Sequence, residues 1–455
     1  MKPNGLKRMV IVTFGLVYSG MCVFAQTSSS YFVDGSYNRY RLNPALTPER
    51  AFVSLPVLGG TSVQTNMNAG LANFIYESKS KPGELTTFMS GDVDSRKFLN
   101  GLPDAVRLNA NLDIDVLGFG FGTSEWYFWL DSRIRSYQGV SIPDDMFRFL
   151  KAGMSKGEYF IRDLNVTTTN YVQTSLGFQI KPVENLSVGA STNILLGGAY
   201  SKLNIDCMHF RLGPDSWLVN TEATATVSVP DTRVILDEEG KIDDIDSDIN
   251  GFPGIASYGL SFDLGAEYDL KDIVPGLKVS ASVTDMGFMI WKDAQVLKTD
   301  RNNTVEFNGI TDDGFSDQLS DDAENMARFY ECDDNSVTSK FNATVRMGAE
   351  YSLSGVEWLS FGELITLRSG LDRLYESRTS VNLKAGNVLD VSGSVAFSNI
   401  GTGFGGVFNL HPGGVNLFVG AEMDVLKVNP QFIPLEKFSC NVNFGLRMGL
   451  GNRRF

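Results

Sequence analysis

The sequence predicts an all-β protein, an antiparallel transmembrane β-barrel of roughly 14 strands with an N-terminal plug or hatch segment, on three observations. The chain opens with an export signal, and several later segments alternate apolar and polar residues over more positions than an ordinary strand. No segment after the leader approaches the ~18 uninterrupted apolar residues that a spanning helix needs.

The leader comes first. Lys2, Lys7 and Arg8 precede an apolar run from Met9 to Val23, and Val23-Phe24-Ala25 forms a cleavage site before Gln26. Residues 1–25 are therefore read as a signal peptide and set aside from the fold. Lipid modification at Cys22 competes, but Met21 stands where lipoprotein processing needs a small residue. Losing three cations and no acid takes the formal charge from -14 to -17, which excludes DNA or RNA as partners. The remaining cysteines, Cys207, Cys332 and Cys440, are too few and odd in number for a disulfide framework. Cys207 and Cys332 both fall in long polar stretches, where they either pair or stay free, whereas Cys440 sits in a strand pattern as an apolar filler. Glycine, 46 of 455 residues against an ordinary ~7%, leans towards a Gly-rich β protein.

The period-two pattern carries the fold. Phe341, Ala343, Val345, Met347, Ala349, Tyr351 and Leu353 alternate with Asn342, Thr344, Arg346, Gly348, Glu350 and Ser352. Tyr258 to Leu270 alternates in the same way against Ser257, Gly259, Ser261, Asp263, Gly265, Glu267 and Asp269. So does Phe438 to Leu450, with Arg447 on its polar side. Shorter runs, from Leu112–Phe121 to Val415–Val425, fill the rest, with weaker candidates near 52–58 and 217–228.

A secreted β-sandwich would also alternate, but strands average about 5 to 6 residues and these segments run to about twice that. That length suits a tilted bilayer crossing. Phe341 and Tyr351 stand ten residues apart on one face, as do Tyr258 and Tyr268. Ten residues at ~3.3 Å, tilted by ~40°, project to about 25 Å, the height of a lipid-facing band between aromatic girdles. The terminal Phe455 is out of register with the apolar face of 438–450 and adds little.

Residues 26–105 differ, with five prolines, one helix-compatible stretch at Ser95–Leu102 and no long clean strand; they are expected to fill the lumen as a plug or to lie over it as a lid. Residues 106–455 then form the barrel, interrupted by long acidic loops near 201–256 and 293–338, the second with a short amphipathic helix at Asp321–Glu331. One metal-like spacing occurs, Asp246-x-Asp248-x-Asn250-Gly251, the first half of a calcium loop. Ser257 occupies the position of the bidentate Glu, so the stretch is read as a polar turn, and no cofactor is expected beyond that faint Ca²⁺ signal.

Leu42-Asn43-Pro44-Ala45-Leu46 resembles the Asn-Pro-Ala motif near the mature N-terminus of the long-chain fatty-acid transporter family, and Val283-Thr284-Asp285-Met286-Gly287-Phe288 resembles the Val-x-Asp-x-Gly runs of such barrels. The layout is most similar to uncharacterised outer-membrane barrels of Bacteroidota related to that family. The resemblance implies a 14-stranded barrel with an N-terminal hatch, in which Asn43, Pro44 and Ala45 are the hatch motif. Asn43 as a cap with Pro44 at a helix start is the competing local reading.

Function follows from place. Neither His209 nor His411 lies beside a nucleophile motif, so no enzyme is expected. The expected role is uptake or binding of a hydrophobic or amphipathic small molecule through a plugged lumen of the outer membrane. Asp263, Glu267, Arg346 and Glu350 would be lumen-facing residues that set selectivity or pair with one another. The alternatives are an outer-membrane scaffold whose acidic loops bind a secretion-associated partner, and a soluble secreted β protein.

Overall fold

A computed structural model of the protein describes residues 28–152, 157–213, 216–247, 255, 257–300, 304–307, 327–370, 373–425 and 437–451. Residues 1–25, read as a signal peptide, and Phe455 lie outside these residues.

Fourteen strands close on themselves. They are β1, in two pieces (Ala51–Ser54 and Thr61–Met67), β2 (Ala105–Gly122), β3 (Trp126–Pro143), β4 (Glu158–Val183), β5 (Leu186–Leu212), β6 (Ser257–Asp269) and β7 (Leu277–Lys292). Then come β8 (Thr344–Ser352), β9 (Leu359–Arg368), β10 (Leu374–Ala385), β11 (Leu389–Ser398), β12 (Thr402–Leu410), β13 (Val415–Val425) and β14 (Phe438–Leu450). Each pairs antiparallel with the next. Thr61 to Met67 pairs with Phe444 to Phe438 on one side and with Ile114 to Leu108 on the other, so the first and last strands meet and no edge remains.

The burial pattern is the reverse of a soluble sheet. Along β8, Thr344, Arg346, Gly348 and Glu350 are buried, whereas Met347 and Tyr351 are exposed and Val345 and Ala349 half-buried. On β6, Tyr258 and Leu264 are 48% and 52% exposed. A sandwich would have packed these side chains between sheets; here they form an outward apolar wall that only lipid can cover. The wall gives a direct test. Leu264→Arg is expected to cost about 2–4 kcal/mol, read as a lowered urea midpoint for folding into lipid vesicles, and an unchanged midpoint would remove Leu264 from the lipid face.

Strand direction sorts the connections. Residues 123–125, 184–185, 270–276, 353–358, 386–388 and 411–414 make short turns at one end, and every long segment leaves from the other. That asymmetry is the one outer-membrane barrels have between their periplasmic turns and their outer loops.

Four expectations change. First, residues 26–105 are not one segment: 28–50 enter the lumen, 51–67 build β1 into the wall, and 68–104 sit at the long-loop end. The sequence shows β1 only as a weak candidate near 52–58, because Pro56 to Gly60 interrupts it, with Val57 at φ 64°, and because its inward face is the polar Ser62, Gln64 and Asn66. Second, the acidic insertions are not loops throughout. β5 continues to Leu212, Trp217–Ser228 pairs with its upper half, and Gln295–Thr299 and Thr304–Phe307 pair with that strand in turn. Alternating Val219, Ala223, Ala225 and Val227 are buried, which holds this outer sheet, and the acid run Asp237-Glu238-Glu239 is confined to the hairpin turn between Thr232–Leu236 and Ile242–Ser247. Third, the expected helix at Asp321–Glu331 is absent from its described part, where Phe329–Glu331 is a strand paired with Leu297 to Thr299; residues 321–326 lie outside the described residues. Fourth, Phe341 belongs to no girdle. It precedes β8, where the alternation breaks, and packs on Tyr171 with ring centroids 5.3 Å apart, inside the barrel. Tyr258 and Tyr268 do face outward.

The helix expected near Ser95–Leu102 is Ser95–Asn100, capped by Asp94, whose carboxylate accepts from the Lys97 N–H at 2.8 Å. Cys207, Cys332 and Cys440 are all free thiols.

Candidate functional site

Residues 28–50 cross the lumen at the level of the short-turn half of the strands, held by inward side chains from around the wall. Asn43 is fully buried and donates from Nδ2 to Tyr31 Oη (2.9 Å) and to the carbonyls of Ala266 (3.3 Å) and Ala281 (3.4 Å) on β6 and β7. Its Oδ1 accepts from the Ala45 N–H at 3.0 Å, so the same residue also makes the local turn that its type favours. Pro44 and Asn43 lie close against the wall where the inward residues are Gly189 and Gly265. A Cβ at either would come within 2.2 Å of the Pro44 carbonyl oxygen or 1.9 Å of Asn43 Oδ1, so only glycine fits.

Charge anchors the segment on the opposite side. Arg41 pairs with Asp115 at 2.7 Å and Asp131 at 2.6 Å, and Arg447 of β14 pairs with Asp115 at 2.8 Å. Arg447 also donates to the carbonyls of Tyr37 and Gly59, both at 3.0 Å, and lies over the Phe52 ring at 4.9 Å. Elsewhere Ser29 donates from its backbone N–H and its hydroxyl to Glu422, and the Gly35 N–H donates to Asp390, which also contacts His411 at 3.0 Å. Burial pushes the Asp34 carboxyl up, but Arg39, Lys278 and Lys384 outweigh it and hold it well below the usual range. Burial likewise opposes the charge on Arg41, and Asp115, Tyr40 and Asp131 more than restore it.

Above this floor, towards the long-strand end, lies a cavity of about 690 Å³. Arg41 and Leu42 are the floor's contribution to it. The cavity's lining mixes an aromatic cluster, Tyr171, Tyr200 and Phe341 in front of a Trp291 ring stacked on Tyr200 at 4.8 Å, with the basic Arg133, Arg135, Arg346 and Arg368. The two kinds adjoin, since Arg135 lies over the Tyr171 ring at 5.8 Å. Arg135 donates to Asp285 at 2.6 Å, and Asp285 stands at a bulge in β7 with φ 60°, a conformation that Asp tolerates and that turns its carboxylate inward.

The four lumen-facing candidates all point inward, in two groups. Asp263 and Arg346 line the cavity: Asp263 accepts from Ser191 (2.6 Å), Asn193 (2.9 Å) and the Asp285 N–H (2.7 Å), and Arg346 donates to Thr284 Oγ1 at 3.0 Å and the Leu42 carbonyl at 3.5 Å. Glu267 and Glu350 lie lower, within electrostatic reach of Arg39, and Glu350 accepts from Ser360 at 2.7 Å. Among the described residues none of the four forms an ion pair, so mutual pairing is not what holds them. Asp246 lies across the outer hairpin from Arg233, and Asp248 and Asn250 fall outside the described residues. The sequence reading missed the Arg41–Asp115–Asp131–Arg447 cluster and the aromatic lining. Inward charges on β2, β3 and β14 were its signal, but nothing local tells which segment they bind.

No curated protein matches the chain. Among solved structures it is similar to the toluene transporter TbuX of Ralstonia pickettii (9% identity, 95% of this chain and 100% of that chain, TM-score 0.46). It is also similar to the Pseudomonas putida toluene transporter TodX (9% identity, 92% and 95%, TM-score 0.43) and to a Pseudomonas aeruginosa FadL homologue (10% identity, 91% and 93%, TM-score 0.42). A family model covers residues 44–422, from the proline of the buried Asn-Pro-Ala turn to the carboxylate that holds Ser29, and the chain belongs to that family, a family of unknown function (DUF5723).

Proposed function

We propose that this protein is an outer-membrane barrel that takes up an amphipathic small molecule into its lumen, with residues 28–50 as the hatch that closes the short-turn end. The observation that carries this reading is the cavity of about 690 Å³ above the hatch, whose lining combines aromatic and basic side chains. A volume of that order suits a small ligand, and the mixed lining suits one with an apolar and a polar part. A purely hydrocarbon ligand would leave the Arg346 guanidinium bonded to neutral oxygens only.

Reconstitution tests the proposal. Liposomes carrying the barrel are expected to take up a fluorescently labelled decanoate several-fold faster than protein-free liposomes. Equal rates would defeat it.

One observation favours a second reading, an interaction barrel. β4 and β5 run for 26 and 27 residues, so they stand well clear of a ~25 Å apolar band, and further paired strands widen them into an outer sheet. A protein that co-purifies at a fixed stoichiometry, together with absent uptake, would select that reading.

A further inference from the structure

Arg346 is a buried charge of the lumen whose hydrogen bonds, among the described residues, all go to neutral oxygens. Its side chain is 7% exposed, it reaches only the neutral oxygens of Thr284 and Leu42, and its Nε has no hydrogen-bond partner among the described residues. Arg368 lies close enough to repel it and spends its own Nε on Thr344 Oγ1 at 3.1 Å. Among the nearby carboxylates, Asp424 lines the smaller cavity and accepts from Ser398 at 3.4 Å, and the others are engaged elsewhere. Asp285 is held by Arg135, Asp263 by Ser191 and Asn193, and Glu376 and Glu422 by Arg378 at 3.0 and 3.6 Å.

Asp285 and Asp263 act on the guanidinium only through space, so its Nε keeps an unused donor, whose usual partner is an oxygen acceptor. Both arginines line the main cavity and a smaller one of about 40 Å³ beside it, so they stand at a wall that a solute can reach. The main cavity is lined by seven basic and three acidic side chains, and even with Asp115 and Asp131 behind Arg41 the balance stays positive, which draws anions. The hydroxyls of Thr284 and Thr344 flank the two guanidiniums. Donors spread in this way, two forks and two hydroxyls, suit a tetrahedral oxyanion better than a planar carboxylate.

We infer that Arg346 and Arg368 form an oxyanion subsite in the lumen that takes a phosphate group, either as a free solute or as the head of an amphipath. The subsite deepens the proposed function and rests on the reading of the cavity as a ligand site.

Calorimetry on the purified full-length barrel in dodecyl maltoside tests it with three probes: inorganic phosphate, decyl phosphate and decyl glucoside. At least one phosphate probe is expected to bind, and Arg346→Gln should weaken it about tenfold or more, as loss of a charged donor does, while decyl glucoside binding stays unchanged. Binding of inorganic phosphate as tight as that of decyl phosphate marks a free solute, and binding of decyl phosphate alone marks a lipid-like head. If decyl phosphate and decyl glucoside bind equally and Arg346→Gln changes neither, the subsite is wrong and the cavity reading survives. If inorganic phosphate alone binds and depends on Arg346, the subsite stands and the amphipath reading falls. If no probe binds, both fall. Arg368→Gln, at a half-buried position, repeats the test should Arg346→Gln lose the heat-modifiable gel shift of a folded barrel, and unchanged phosphate binding in it would overturn the subsite.

Discussion

Deletion of residues 28–50 is expected to convert a closed barrel into an open, ion-conducting pore. A ring of 14 strands is too wide for its own side chains to fill, since about eight strands suffice for a filled interior and 16 to 18 leave a water channel. Across the short-turn half, the space is occupied by Tyr31, Phe32, Leu42 and Leu46 on one side and Tyr37 and Tyr40 on the other. Without them the inward wall is mainly Ser, Asn, Asp, Glu, Arg and Gly, which water wets readily, with Phe52, Tyr127, Trp129 and Leu364 as its apolar patches. Single-channel conductance in planar bilayers should rise about tenfold or more over the intact protein. A barrel that stays heat-modifiable and yet conducts no more than the intact one would show that this segment is not the seal.

The second large effect falls on Arg447. Arg447→Ala leaves Asp115 dependent on Arg41, which also serves Asp131 beside Arg133 at 3.6 Å, and it strips donors from the carbonyls of Tyr37 and Gly59. Breaking one side of a fully buried pair costs about 3–5 kcal/mol, because the charge left behind is not rehydrated. The expected result is a marked fall in the temperature at which the folded gel band disappears. Adding Asp115→Asn should recover part of the loss, since it removes the orphaned charge. A single variant within about 1 kcal/mol of the parent would mean that the cluster is wet and weak, like a surface pair.

Much of this architecture could be read from the chain because two solvents act on it at once. On β6, β8 and β14 every outward residue meets lipid and every inward one meets polar lumen, so the alternation is clean and strand, face and length follow together. Where a wall residue faces neither, the signal fails. β1 is short and broken and reads only as a weak candidate, as does the strand at 217–228, where Thr stands on both faces, Thr221 beside Ala223 and Ala225 and Thr224 and Thr226 opposite. Phe341 shows the same limit, because the alternation that it seemed to extend stops three residues later, at Thr344. Asn43-Pro44-Ala45 stands out in the sequence by its resemblance to a family motif, while local chemistry alone reads it as an ordinary turn. Its wall contacts are not legible, since Ala266 and Ala281 lie more than 200 positions away. The alternation sets Arg346 on the polar face, but that its Nε lacks a partner is a fact of three-dimensional packing, and no spacing in the sequence encodes it.

The seam of the ring lies between the strand that follows the lumen segment and the strand made last. Arg447, on that last strand, reaches across to the carbonyls of Tyr37 and Gly59. The wall therefore shuts only where Phe438–Leu450 meets the strand at 51–67, and the same side chain that stands at this closure grips the cork as well as the cask.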